Sequence, residues 1–307
     1  MRKYDERIGG GRRIGIVAGV LLLVMVLMAV SAPWWVTASP IEMEPDQRLL
    51  PPSEAHLFGT DHFGRDIFSR VIYAARISLS IGFIVALCTT ILGTITGLVT
   101  GYYRKWDNVV MRIVDGVSAF PSILLAIALV AALGGSMVNL IIALVFAFWP
   151  FMTRVVRSTT LQLSTMQYVE AARATGTRDL AVLFFHILPN ALTPIIVQAT
   201  FIFAEAILAE ASLSFLGLGI VPPTPTWGNM LGESRIYLTV SPWFSIFPGV
   251  AIVITVLSLH LFGDLLRDYL NPYTRKSRRA KSMAANRQQD TREGLPLTAE
   301  ASKPFKR

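Results

Sequence analysis

Ile77-Ser-Leu-Ser-Ile-Gly-Phe-Ile-Val-Ala-Leu-Cys-Thr-Thr-Ile-Leu-Gly-Thr-Ile-Thr-Gly-Leu-Val-Thr-Gly101 runs for 25 residues without a charged side chain. About 20 apolar helical residues cross a hydrocarbon core roughly 30 Å thick. Lipid offers the backbone no hydrogen-bond partner, and the stretch lacks the alternation of a barrel strand, so it reads as a helix. Five further blocks qualify or come close, at about 14–32, 113–133, 136–152, 191–217 and 246–264. The expected fold class is therefore all-α integral membrane, with six transmembrane helices. The 307 residues are 53% hydrophobic and only 16% charged, against about 25% charged in a soluble domain. That excludes an ordinary cytosolic enzyme and a disordered chain. The lone Cys88 excludes a disulfide framework and a thiolate zinc cluster.

The formal charge of +8 follows from where Lys and Arg sit. With the N-terminus inside, 23 of them fall in inner segments and only 5 in outer ones, as positive-inside bias requires. Nucleic acid is not an expected partner. This divides the chain into a cytoplasmic N-terminus 1–13, a first span 14–32, an extracytoplasmic segment 33–76, a five-helix domain 77–267 and a basic cytoplasmic tail 268–307 expected to be disordered. The first block could be read as a signal peptide, given Val30-Ser31-Ala32. Its apolar run is longer than the ordinary 7–15 residues and Pro33 follows directly, so a retained helix is expected.

Gly93, Gly97 and Gly101 recur every four residues in the second span, and Gly15 and Gly19 do so in the first. Such ridges let helix backbones approach closely in lipid. Trp34, Trp35, Trp227 and Trp243 read as interfacial anchors at the outer boundary. In the first outer segment a helix would pair Asp61 with Arg65 and Asp66 with Arg70 at i,i+4. Asp61, His62 and Asp66 lack a further clustered ligand, so no metal site is expected. The second outer segment carries Pro222, Pro223 and Pro225, and predicts a stiff extended connector.

The inner segment 153–190 is long for a connector and poor in flexible residues. It predicts a helix over 158–175, a stop at Gly176, and a second helix from Arg178 to Leu188 ended by Pro189. Ionisable residues at membrane depth are costly and tend to pair or to line pathways. Glu205 is the deepest of them. Glu210, rotated roughly 140° from it, cannot share its face. Both are candidates for a translocation path. The chain has neither a G-x-x-x-x-G-K-[ST] loop nor H-E-x-x-H, so no catalytic residue is expected.

Glu170-Ala171-Ala172, then Gly176 after three residues, then His186-Ile187-Leu188-Pro189 after nine more, resemble the EAA motif of bacterial ABC importer permeases. His186 stands where the general motif has Ile, a form familiar in the peptide and nickel branch. Leu57-Phe-Gly-Thr-Asp-His-Phe-Gly-Arg-Asp66, Ala119-Phe-Pro121, Ala211-Ser-Leu-Ser-Phe-Leu-Gly217, Pro222-Pro-Thr-Pro-Thr-Trp-Gly228 and Gly263-Asp264-Leu-Leu-Arg-Asp268 extend the resemblance along nearly the whole chain. It points to the second (C-type) permease of dipeptide and oligopeptide importers. The resemblance implies the type I permease fold with a cytoplasmic coupling helix, in which Glu170, Ala171, Ala172 and Gly176 couple to an ATPase. It also implies a bacterial plasma-membrane location and four partners: a second, different permease subunit, two cytoplasmic ATPases and an extracytoplasmic solute-binding protein. Membrane lipid is the surrounding medium, and ATP and Mg belong to the ATPases, so this chain needs no cofactor. The same machine could import nickel chelates, oligosaccharides or opines. A reading of another class, a stand-alone secondary transporter or channel, predicts transport by the single chain under an ion gradient.

Overall fold

The computed structural model describes residues 2–36 and 38–270, with side chains from residue 13 onward. The tail expected to be disordered lies almost wholly outside the described residues. The described residues up to 266 form one compact unit. The described residues contain ten α-helices and no β-strand: α1 (Arg2–Trp35), α2 (Ile67–Tyr102), α3 (Arg104–Ser118), α4 (Ser122–Leu133), α5 (Met137–Ser164), α6 (Gln167–Ala174), α7 (Asp179–Ala181), α8 (Leu188–Phe215), α9 (Trp227–Ser234) and α10 (Trp243–Leu270). A π-helical segment, Val182–Ile187, joins α7 to α8.

Five helices are long and apolar enough to cross a membrane, and the expected third span is the exception. It is broken into α3 and α4, which meet at 86°. Pro121 has no N–H to continue the ladder and disfavours helical backbone at Phe120 before it. Only α4, at 12 residues or about 18 Å, is apolar beyond its first residue, Ser122. In α3 the exposed apolar side chains Trp106, Val109 and Ile113 share a stripe, as in a helix lying at an interface. Its acidic residues reach α5, Asp107 accepting from Arg157 Nε at 2.6 Å and Asp115 from Arg154 at 2.8 Å.

The second span begins ten residues earlier than expected, because Asp66 caps it by accepting from Ser69 N–H at 2.8 Å. At 36 residues, α2 is the central helix. Its glycine ridge packs on α5: a Cβ at Gly93, Gly97 or Gly101 would lie 2.5–2.6 Å from Met152, Val156 or Thr160 side-chain carbon. Polar residues stitch the same seam, with Trp149 Nε1 donating to Thr96 Oγ1 at 3.0 Å. Gly82 admits Phe203 and Ile207 of α8 in the same way, and Gly15 and Gly19 admit Leu265 and Phe262 of α10. One apolar core lies between α2, α4, α5, α6 and α8; a second joins α1, α2, α8, α9 and α10.

The second outer segment departs from the expected connector. After the prolines Thr226 and Asn229 form a reciprocal capping box, and α9 folds back onto α8. Trp227 is consequently no interfacial anchor. It is fully buried, and its indole N–H donates to Val71 O at 3.1 Å. Trp34 and Trp35 remain exposed, as anchors require.

Candidate functional site

The helix–Gly–helix element is present, but its boundaries differ from those expected. The helix expected over 158–175 is divided: α5 ends at Ser164, Thr165 and Met166 break the ladder, and α6 spans Gln167–Ala174. Gly176 then closes α6. Its φ is +80°, its N–H donates to Arg173 O at 3.0 Å, and Thr177 N–H donates to Ala172 O at 3.1 Å. These are the two bonds of a Schellman cap, which favours glycine at the left-handed position. Pro189 does not end the following helix. The π-helical turn before it widens the spiral where the proline ring would meet the carbonyl four residues back, and Pro189 takes the first turn of α8.

α6 presents Glu170 and Ala171 outward. Ala172, grouped with them by the motif, instead faces inward with Val169, against Val182, Leu183 and Ile187. Its small side chain thus serves the seating of α6 on the chain leading into α8. The far end of α6 is tied to α2: the Arg173 guanidinium lies 4.7 Å from the centre of the Tyr102 ring, and Tyr102 Oη donates to Asp179 at 2.7 Å. Beside this tie, Leu180, Phe184 and Phe185 expose more than half of their surface. The element is a short helix seated through Val169 and Ala172 and tied at its C-terminal end, with one carboxylate and an apolar flank on its open side.

The two acidic path candidates part company. Glu205 lines a groove of about 180 Å³ with Ser122 and Ile123 of α4, Leu144 and Phe148 of α5, and Leu208 and Ser212 of α8. Glu210 does not reach it. It is fully buried on the other side of α8, accepting from Ser78 Oγ at 3.1 Å and from Ser214 Oγ at 2.7 Å. This carboxylate links α8 to α2, as a buried ionisable group must find partners.

At the opposite end of α2 from α6, the structure assembles a charge cluster that sequence spacing only half contains. Residues 61–66 form turns and not the helix that the i,i+4 pairing presumed; Arg65 still donates to Asp61 at 2.7 Å, but Asp66 pairs with His56 at 3.1 Å and leaves Arg70 to Asp61 and Glu233. Glu233 of α9 also receives Arg65 at 3.0 Å. Burial alone would raise the Asp61 pKa, yet Arg70, Arg65 and the amides of Phe63 and Arg65 together hold it below 3.8. Asp61, His62 and Glu233 offer ligand atoms within 4.8 Å of one another. Both carboxylates already carry guanidinium groups, a poor setting for a further cation. The cluster fastens the loop before α2 to α9.

Residues 89–276 match the family described as binding-protein-dependent transport system inner membrane component. The dipeptide transport system permease protein DppC of Alkalihalophilus pseudofirmus is 46% identical over 261 residues, which cover 85% of this chain and 86% of that protein. The glutathione transport system permease protein GsiD of Pectobacterium atrosepticum is 42% identical over 266 residues, covering 85% of this chain and 87% of the relative. Among solved structures, the MetNI methionine ABC transporter in an inward-facing conformation superposes with a TM-score of 0.58 at 19% identity, over 67% of this chain and 98% of that one. At that identity the likeness speaks for the fold.

Proposed function

Because this chain belongs to the family of binding-protein-dependent transport system inner membrane components, we propose that it forms one half of the translocation pathway of an ATP-driven importer of di- and oligopeptides. A second permease subunit supplies the other half, and a solute-binding protein delivers cargo at the outer face. Two ATPases, which hold ATP and Mg, bind at the inner face, and this chain itself catalyses no reaction. Both termini are cytoplasmic in this reading, as the distribution of Lys and Arg favours.

The observation that carries the proposal is the projecting α6. Glu170 and Ala171 are its outward face toward an ATPase cleft, and Gly176 fixes its angle through the two cap bonds. ATPase closure displaces α6. Because α6 is seated on the chain entering α8 and tied to the end of α2 through Arg173, Tyr102 and Asp179, the displacement passes to both long helices as a rigid body. That is the rocking motion alternating access requires. Ala172 contributes by allowing the close seat. Peptide cargo is supported by the names of the relatives at 42–46% identity.

The test is co-purification of this chain with the companion permease and ATPases, followed by uptake of labelled peptides into proteoliposomes with the binding protein added. ATP-dependent uptake, competed by unlabelled di- and oligopeptides, is the expected result. Uptake without ATP, or competition only by nickel chelates or sugars, would overturn the proposal in its mechanism or its cargo respectively.

A further inference from the structure

We propose that Glu205 is a specificity-determining residue that receives the protonated amino group of the cargo at mid-membrane depth. The inference rests on the importer reading above and names what this point of the path selects.

Glu205 lies ten residues before the end of α8 at Phe215, about 15 Å along the helix, and therefore near the middle of a hydrocarbon core roughly 30 Å thick. A carboxylate there is costly unless paired. Glu210, the other acidic side chain of α8, is satisfied by two serine hydroxyls, and on α3 Asp115 is paired with Arg154 and Asp107 with Arg157. Among the described residues no hydrogen bond or ion pair reaches Glu205. It is exposed, and it opens into the groove between α4, α5 and α8.

The walls of that groove define the chemistry of its occupant. Ile123, Leu144, Phe148 and Leu208 are apolar, while the hydroxyl-bearing Ser122 and Ser212 and the single carboxylate supply the polarity. Few polar groups in an apolar lining orient a ligand without holding it tightly. No cationic side chain lines the groove, so an anionic group entering it would meet only a like charge. A protonated amine beside an apolar side chain is complementary to both features. At about 180 Å³, with water taking roughly 30 Å³, the groove admits the amino-terminal end of a peptide and leaves the remainder in the path. The break before α4 starts that helix at Ser122, which lines the groove together with Glu205.

The test uses the assembled, nucleotide-free importer without its binding protein, so that the binding protein's own selectivity does not enter. Dileucine amide, which carries only the amino charge, and N-acetyl-dileucine, which carries only the carboxylate, are titrated by saturation-transfer NMR. The amide is expected to bind the wild type, to weaken by roughly tenfold or more in Glu205→Gln, and to be kept by Glu205→Asp. The acetylated probe is expected to bind more weakly and to ignore the substitution. Equal amide binding in wild type and Glu205→Gln, equal loss of both probes, or no amide binding to the wild type would each overturn the assignment. ATP-driven uptake of labelled dileucine by the same preparation, with the binding protein added, reads the importer function separately. Uptake without any Glu205 dependence of binding sinks only the inference; absent uptake sinks the peptide-importer reading itself.

Discussion

Substitution of Gly176 separates backbone geometry from bulk. Nothing lies within 4 Å of a Cβ built at this position, and its φ is +80°, so a side chain there meets backbone strain and no steric block. An L-residue in the left-handed region loses roughly 1–2 kcal/mol, and asparagine less because its side chain bonds locally. Gly176→Ala therefore lowers the population of correctly capped α6 by about five- to thirtyfold relative to its alternatives, and Gly176→Asn by less. Gly176→Pro is a different perturbation. Proline fixes φ near −65° and has no N–H, so both the left-handed turn and the bond to Arg173 O are lost. The expected order of ATP-linked uptake is wild type, Asn, Ala, then Pro, with Pro abolished while all four insert equally into the membrane. ATP hydrolysis in the Pro variant is expected to lose its stimulation by loaded binding protein. Normal uptake by Gly176→Pro, or equal loss of insertion in every variant, would refute the reasoning.

Three further outcomes follow from the charge cluster and the packing. Arg70→Ala leaves the buried Asp61 and the part-buried Glu233 with one guanidinium fewer and is expected to destabilise that end of the bundle by about 3–5 kcal/mol; adding Asp61→Ala restores part of that, as a thermal melt in detergent will register. Because the folded Asp61 pKa lies below 3.8, its contribution is present above that pH and lost as pH falls through the folded value, so the wild-type melting temperature should drop only below about pH 4 and Asp61→Asn should flatten that drop. At Gly97 a Cβ would sit 2.6 Å from Val156 Cβ and 2.8 Å from Thr153 O, whereas at Gly249 the nearest atom is 3.9 Å away; Gly97→Leu is expected to cost 1–3 kcal/mol or more and reduce inserted yield, and Gly249→Ala to be neutral.

The apolar blocks were legible because a membrane demands one property over many consecutive residues. The cap at Gly176 was legible because it is local, and the ridge at Gly93, Gly97 and Gly101 because four-residue spacing maps onto one helix face. Other features depend on partners distant in sequence. Nothing near Arg70 announces Glu233, which lies 163 residues away and comes within 2.9 Å only when α9 folds back. The same fold-back buries Trp227, which its position alone marks as an interfacial residue. Local rules also compete: Pro121 breaks an apolar run that hydropathy joins, while Pro189 fails to stop a helix because a π-helical turn absorbs it. For the acidic pair, the helical wheel separated the faces of Glu205 and Glu210. Which face opens to the groove depended on α2, α4 and α5 and could not be read from α8 alone.

The account is tested most directly by reconstituting this chain into vesicles alone and together with its companion permease, the ATPases and the binding protein, and measuring accumulation of labelled dipeptide in each. ATP-dependent accumulation is expected only in the complete assembly, and none from the single chain under any ion gradient. Gradient-driven transport by the chain alone would contradict the claim that α6 is moved by a separate ATPase.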